Sequence, residues 1–176
     1  MFGVSPRPGE VRAPLPGDDL VPDATVVMDR AFDLPASPEA VWPWFAQLGK
    51  QRAGWYLPRA VERFVPARRR ALRHIDPALQ HLSPGDVIPD WGGREATFEI
   101  VSHEAPRLLV HRSTRGQLRL TWVIVVGPTP DGSRVHLRLR LAGMRRRRLV
   151  EYGGGLFDLL TVAGLAAGLR ERVRGQ

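Results

Sequence analysis

The chain has 176 residues, 43% hydrophobic and 25% charged, a size and balance that fit one folded domain with a full core. It contains no cysteine, which excludes disulfides, thiolate catalysis and cysteine-ligated zinc. Twenty-six basic residues against 18 acidic ones give a net charge of +8, which admits anionic partners without choosing among them.

Residues 1–24 read as an irregular arm, with prolines at 6, 8, 14, 16 and 22 and no periodicity. The first twenty residues hold no apolar stretch of the secretory kind, so a cytoplasmic location is expected. Residues 25–176 read as a single domain. Thr25 to Leu34 alternates as a strand, with Val26, Met28, Phe32 and Leu34 on one side and Arg30 among them. Ser37 is a helix N-cap and Pro38 a first-turn proline; Val41, Trp44, Phe45 and Leu48 then recur at helical spacing up to Gly49. Pro43 removes one backbone bond inside that helix and predicts a kink or a restart. A second short helical segment is expected from Gly54 to about Phe64, followed by a basic, turn-rich excursion over 66–84 and a short strand near Val87–Pro89.

From Ala96 the pattern is β. Strands are expected at 96–102, 107–113, 118–126 and 134–141, with a hairpin turn at Pro130-Asp131-Gly132. In the last strand Val135, Leu137, Leu139 and Leu141 alternate with Arg134, His136, Arg138 and Arg140, which predicts one apolar face and one wet, cationic face. A long helix over about 149–174 closes the chain, with arginines 170, 172 and 174 at its C-terminal end.

Several local motifs occur in a fixed order: Pro16-Gly17-Asp18, Val21-Pro22-Asp23, Pro38-Glu39-Ala40-Val41-Trp42-Pro43-Trp44, Gln47-Leu48-Gly49, Gly54-Trp55-Tyr56, Pro77-Ala78-Leu79-Gln80, Gly85-Asp86-Val87-Ile88-Pro89, Thr121-Trp122 and Asp131-Gly132. In this order they resemble the SRPBCC or START-like helix-grip superfamily, and within it the bacterial polyketide cyclase/dehydrase-like branch, over residues 16–175. The resemblance implies an α+β helix-grip (Bet v 1-like) fold: a curved antiparallel sheet wrapped around the long C-terminal helix, with two short helices after the first strand. It also implies a cavity between sheet and helix for a hydrophobic, lipid- or polyketide-like molecule. The C-terminal helix here is richer in Gly and Ala than in many relatives.

On that reading the ligand-binding candidates are Trp55, Tyr56, Phe98, Ile100, Leu120, Trp122, Leu137, Leu156 and Leu160, the last two facing inward from the C-terminal helix. Arg30, Tyr56 and His111 are the polar candidates for a cyclase/aromatase-like activity, which requires at least two of them to converge on one cavity. Gly164, Ala166, Ala167 and Gly168 either widen a cavity or let the helix pack closely. No nucleophile elbow, phosphate loop or dinucleotide motif occurs, and His74, Asp76 and His81 lack metal-ligand spacing, so neither cofactor nor metal is expected. Two clusters, Arg68–Arg70 and Arg145–Arg148, read as solvated cationic surface, with an interaction module for anionic surfaces as the alternative. No specific nucleic acid and no transmembrane segment is expected, and oligomeric state is left open.

Overall fold

Apolar side chains at every second position over 118–126 and again over 134–141 produce the two longest strands of the computed structural model, which describes residues 3–143 and 155–175. In chain order the elements are α1 (Pro8–Arg12), β1 (Val26–Leu34), α2 (Pro38–Gln47), α3 (Arg59–Glu62), β2 (Val87–Pro89), β3 (Thr97–Glu104), β4 (Leu108–Arg115), β5 (Leu118–Thr129), β6 (Gly132–Ala142) and α4 (Gly155–Val173). The strands form one antiparallel sheet in the order β1-β6-β5-β4-β3-β2, so the first strand pairs with the last. Gly132 opens β6 with φ 144°, and a Cβ there would lie 2.2 Å from the Leu34 carbonyl oxygen. Only glycine fits where the turn crosses the end of β1.

The register places Arg30, Phe32, Leu137, Ile124 and His111 on one face, the inner face, which α2 and α4 cover. Ser37 Oγ accepts from the Ala40 N–H at 3.4 Å, as its N-cap position requires. The helix α2 does not restart at Pro43 but continues through it, forfeiting one bond, to the carbonyl of exposed Glu39. Its apolar stripe seats Trp44 and Phe45 in the main core with Phe32, Ile124, Val135 and Leu165.

The motif residues are joints of this framework. Gln47, fully buried, donates through Nε2 to the His74 carbonyl at 3.1 Å, and its Oε1 accepts from the Asp76 N–H at 3.0 Å and from Gln80 Nε2 at 3.2 Å. That set ties the 74–80 excursion to the end of α2. Gly17, at φ 91°, passes so close to the sheet that a Cβ would meet Val110 Cγ1 at 2.8 Å.

The cationic strand face is not wet. The N-terminal arm lies across it, and His136 and Arg138 are only 6% and 3% exposed. All five guanidinium N–H donors of Arg138 are used: on Asp29, on Asp18, and on the carbonyls of Glu10, Val11 and Ala13, at 2.8–3.0 Å. His136 Nε2 lies 2.7 Å from the same Asp29 carboxylate, and Arg134 pairs with Glu10 at 2.8 and 2.9 Å. Leu15 and Leu20 of the arm pack on buried Val110 and Val123. Arginines alternating along a strand usually mean solvent; here they hold a second layer.

Arg145–Arg148 and the expected helix start at Leu149 lie outside the described residues. No described helix is long and apolar enough to cross a membrane.

Candidate functional site

The inner face carries a tier of aromatic rings toward the β2–β3 side of the sheet. His111 on β4 stacks on Trp122 of β5 with ring centres 5.0 Å apart and planes 29° apart. Trp55, from the loop after α2, stacks on Trp122 at 6.0 Å and 30°. Phe98 of β3 meets His111 edge-on at 5.5 Å and lies 6.3 Å from Trp122. Trp91 closes the row edge-on to Trp55 at 5.8 Å and is 49% exposed. Trp55, Phe98 and Trp122 are only half-buried, so part of their ring surface faces outward from the core.

Each ring is held. Trp55 Nε1 donates to the Thr161 carbonyl of α4 at 3.1 Å, bridging helix and sheet. The loop that presents Trp91 is pinned by Lys50, whose Nζ donates to the Asp90 and Gly93 carbonyls at 2.8 and 3.2 Å, and by the Arg115–Asp90 ion pair. The Arg115 guanidinium also sits over the Phe98 ring, 5.5 Å from its centre. His111 Nδ1 lies 3.0 Å from the Trp122 carbonyl, and burial pushes the imidazole down to about 4. It is neutral at physiological pH.

The structure divides the residues expected to line a pocket. Trp55, Phe98 and Trp122 come together in the tier. Ile100, Leu120 and Leu137 share its face but are 4% exposed or less and belong to the packed core. Leu156 and Leu160 do not face inward: they are 57% and 50% exposed. The stripe of α4 that meets the sheet is Asp158, Val162, Leu165 and Leu169, at i, i+4, i+7 and i+11, which turns Leu156 and Leu160 to the far side. A surface hollow of about 660 Å³ lies between Pro38 and the β5–β6 turn and another of about 310 Å³ beside α3; neither of these includes the tier.

Arg30, Tyr56 and His111 do not converge. Tyr56 is fully buried beneath α2, donates to the Trp44 carbonyl at 2.8 Å and meets the Trp44 ring edge-on; burial pushes its hydroxyl above the usual tyrosine range. Arg30 turns to the first turn of α4, pairing with Asp158 at 2.9 Å and donating to the Gly155 carbonyl at 3.0 Å. Burial raises the Asp158 carboxyl and Arg30 opposes the rise. Arg30 lies on β1 and His111 on β4, three strand spacings apart, which is about 14 Å.

Lys50, Trp91 and Arg115 escaped the sequence reading. Trp91-Gly92-Gly93 reads as a plain turn; the one signal was a large aromatic placed where a turn has no core to bury it in.

Neither a protein-family model nor a curated protein matches this sequence. Solved structures do. A Rhodobacter sphaeroides protein matches 85% of this chain and 92% of its own at a TM-score of 0.54 and 15% identity. NE0264 from Nitrosomonas europaea matches 93% and 99% at 0.52 and 16%. This chain has the helix-grip fold. Its antiparallel sheet and C-terminal helix are those the ordered motifs implied. A Polyketide_cyc-like protein, Cgl2372 from Corynebacterium glutamicum, is similar over 85% of this chain and 87% of its own at 0.40 and 12%.

Proposed function

We propose that this helix-grip protein is a cytoplasmic binder of a hydrophobic small molecule, lipid- or polyketide-like, held on the inner face of the sheet against the aromatic tier and the N-terminal half of α4. The observation that carries the reading is the half-buried stack of Trp55, Trp122 and Phe98 around a neutral His111. Core aromatics bury their rings; these keep apolar surface open while hydrogen bonds and stacking hold them in place, as a site that binds flat or extended apolar groups requires. Met28, Leu118 and Leu139 extend the half-buried apolar surface along the same face.

Native mass spectrometry of the purified protein tests this first, by detecting a co-purifying molecule. Tryptophan-fluorescence titration with long-chain fatty acids and aromatic polyketides follows. Wild-type protein should show saturable quenching, and Trp122→Ala should weaken affinity about tenfold or more while retaining the wild-type circular dichroism. No co-purifying mass together with no saturable quenching would overturn the reading.

A further inference from the structure

Residues 59–73 carry six arginines and a single carboxylate, Glu62. That carboxylate is already taken: Oε1 accepts from Arg172 at 2.7 Å, and Oε2 accepts from Arg73 Nε and Nη2 at 2.9 and 2.6 Å. Burial alone would raise the Glu62 carboxyl, but the two guanidinium groups hold it below its usual range, so it stays ionised and spent. Arg59, Arg63, Arg68, Arg69 and Arg70 make no ion pair among the described residues, and all five are exposed. Arg59, Arg63, Arg70 and Arg73 line the hollow of about 310 Å³ together with Ala71 and the spent Glu62 carboxylate, and Glu171 lies beside it, 3.4 Å from Arg73 and accepting from the Arg59 N–H at 2.9 Å. From the middle of this cationic surface Phe64 projects, 77% exposed, beside Val61 at 46%.

An exposed phenylalanine among exposed arginines, five of which have no ion-pair partner among the described residues, has a specific chemical complement. The arginines ask for phosphate, which guanidinium groups bind by charge and by paired hydrogen bonds. The apolar tip asks for hydrocarbon close to that phosphate. A second copy of this chain is a poor occupant, because a symmetric contact would press arginines against arginines. A nucleic acid fits less well, because the Arg63 guanidinium sits 4.6 Å from the centre of the Phe64 ring and covers a face on which a base would stack.

We propose that this surface docks the protein on an anionic bilayer, with a phospholipid headgroup phosphate in the arginine-lined hollow and Phe64 at the headgroup–acyl boundary. The proposal is independent of the ligand-binding reading, because the aromatic tier lies outside this surface and Phe64 takes no part in it.

The experiment is co-sedimentation of the full chain with vesicles of phosphatidylcholine alone and of phosphatidylcholine mixed with phosphatidylglycerol. Binding to the mixed vesicles only, weakening as salt rises, is the expected result. Phe64→Ala should reduce partitioning about tenfold, and Arg59→Gln with Arg63→Gln should reduce it about fivefold per charge removed. Arg12→Gln, on the arm across the other face of the sheet, removes one such charge and should change partitioning little, against about fivefold for one charge removed from the docking surface. All these side chains are exposed, and circular dichroism verifies the fold. Soluble glycerophosphate and a single-stranded oligonucleotide are run as competitors. The proposal is overturned by no binding to mixed vesicles, by binding that Phe64→Ala leaves intact, by an equal loss in Arg12→Gln, or by an oligonucleotide that binds more tightly than the vesicles with no dependence on Phe64. Displacement by glycerophosphate at low concentration, showing the soluble phosphate to suffice, also overturns it.

Discussion

His111 carries its proton on Nδ1, since only a donor can meet the Trp122 carbonyl at 3.0 Å, and its Nε2 is left as an acceptor. That assignment has a consequence for stability. An unfolded histidine titrates near 6.5, whereas burial lowers this one to about 4. Between those values the unfolded chain binds the extra proton, so the stabilisation is complete above about pH 6.5 and is lost as pH falls toward 4, about 3 kcal/mol at the limit. Denaturant unfolding of wild type and His111→Gln between pH 7 and pH 4.5 should therefore show the wild type losing stability more steeply. Parallel pH curves would refute the neutral, buried imidazole. The same residue marks how far the site was readable in sequence. An imidazole on an apolar strand face was visible as an oddity, and Trp122 as its neighbour in pattern. Their stacking depends on the β4–β5 register, which sets His111 opposite Trp122, and no local spacing states that register.

At the scale of elements, strand positions were legible because residues 118–126 and 134–141 each place apolar side chains at every second position on either side of a clear turn, and α2 was legible because its cap and apolar stripe agree. The orientation of α4 was not. Residues 155–169 are apolar nearly all round, so a 3.6-residue period cannot choose a buried side, and Leu156 and Leu160 looked as inward as Leu165. Backbone contact makes the choice instead. A Cβ on Gly168 would lie 2.7 Å from the Leu57 nitrogen and the Tyr56 carbonyl carbon, and one on Gly164 2.8 Å from Leu57 Cδ2. Gly164 and Gly168 thus serve close approach to the 56–57 segment, directly after Trp55. Gly168→Ala should cost about 1–3 kcal/mol, because the atoms in the way are backbone and cannot rotate aside. Gly155→Ala, in the same helix with open space at its Cβ, should be neutral or stabilising by up to about 1 kcal/mol. Thermal unfolding of the pair checks this: equal effects would mean that the close approach is not what constrains position 168.

For the whole molecule, the arm and the sheet form one structure through contacts more than a hundred residues apart in sequence, which is why no local pattern announced them. Arg134, His136 and Arg138 read as a solvent face until Glu10, Asp18 and three arm carbonyls are brought to them. Arg138 is the centre of that layer. Burial pushes the Asp29 carboxyl up, yet hydrogen bonds from His136 and Arg138 more than offset it and hold it below the usual carboxylate range. Asp29 therefore contributes stability that is present above the ordinary carboxylate pKa and is lost as pH falls through its lowered value. Arg138→Leu removes one of the two partners of Asp29, leaving it buried on His136 alone with three carbonyls short of a donor, a change that should cost about 3–5 kcal/mol. The loss should be directional. The inner core around Trp44 and Phe45 is apolar and takes Val4 from the arm, so the arm beyond Val4 should loosen before the sheet does. Limited proteolysis at neutral pH, followed by mass spectrometry, separates the possibilities. In the wild type the arm should resist cleavage as long as the sheet does. In Arg138→Leu, cuts within residues 3–24 should come first, with residues 25 onward surviving. Cleavage that begins in the sheet, or an arm as resistant as in the wild type, would show that Leu15 and Leu20 on Val110 and Val123 hold this layer without the arginine.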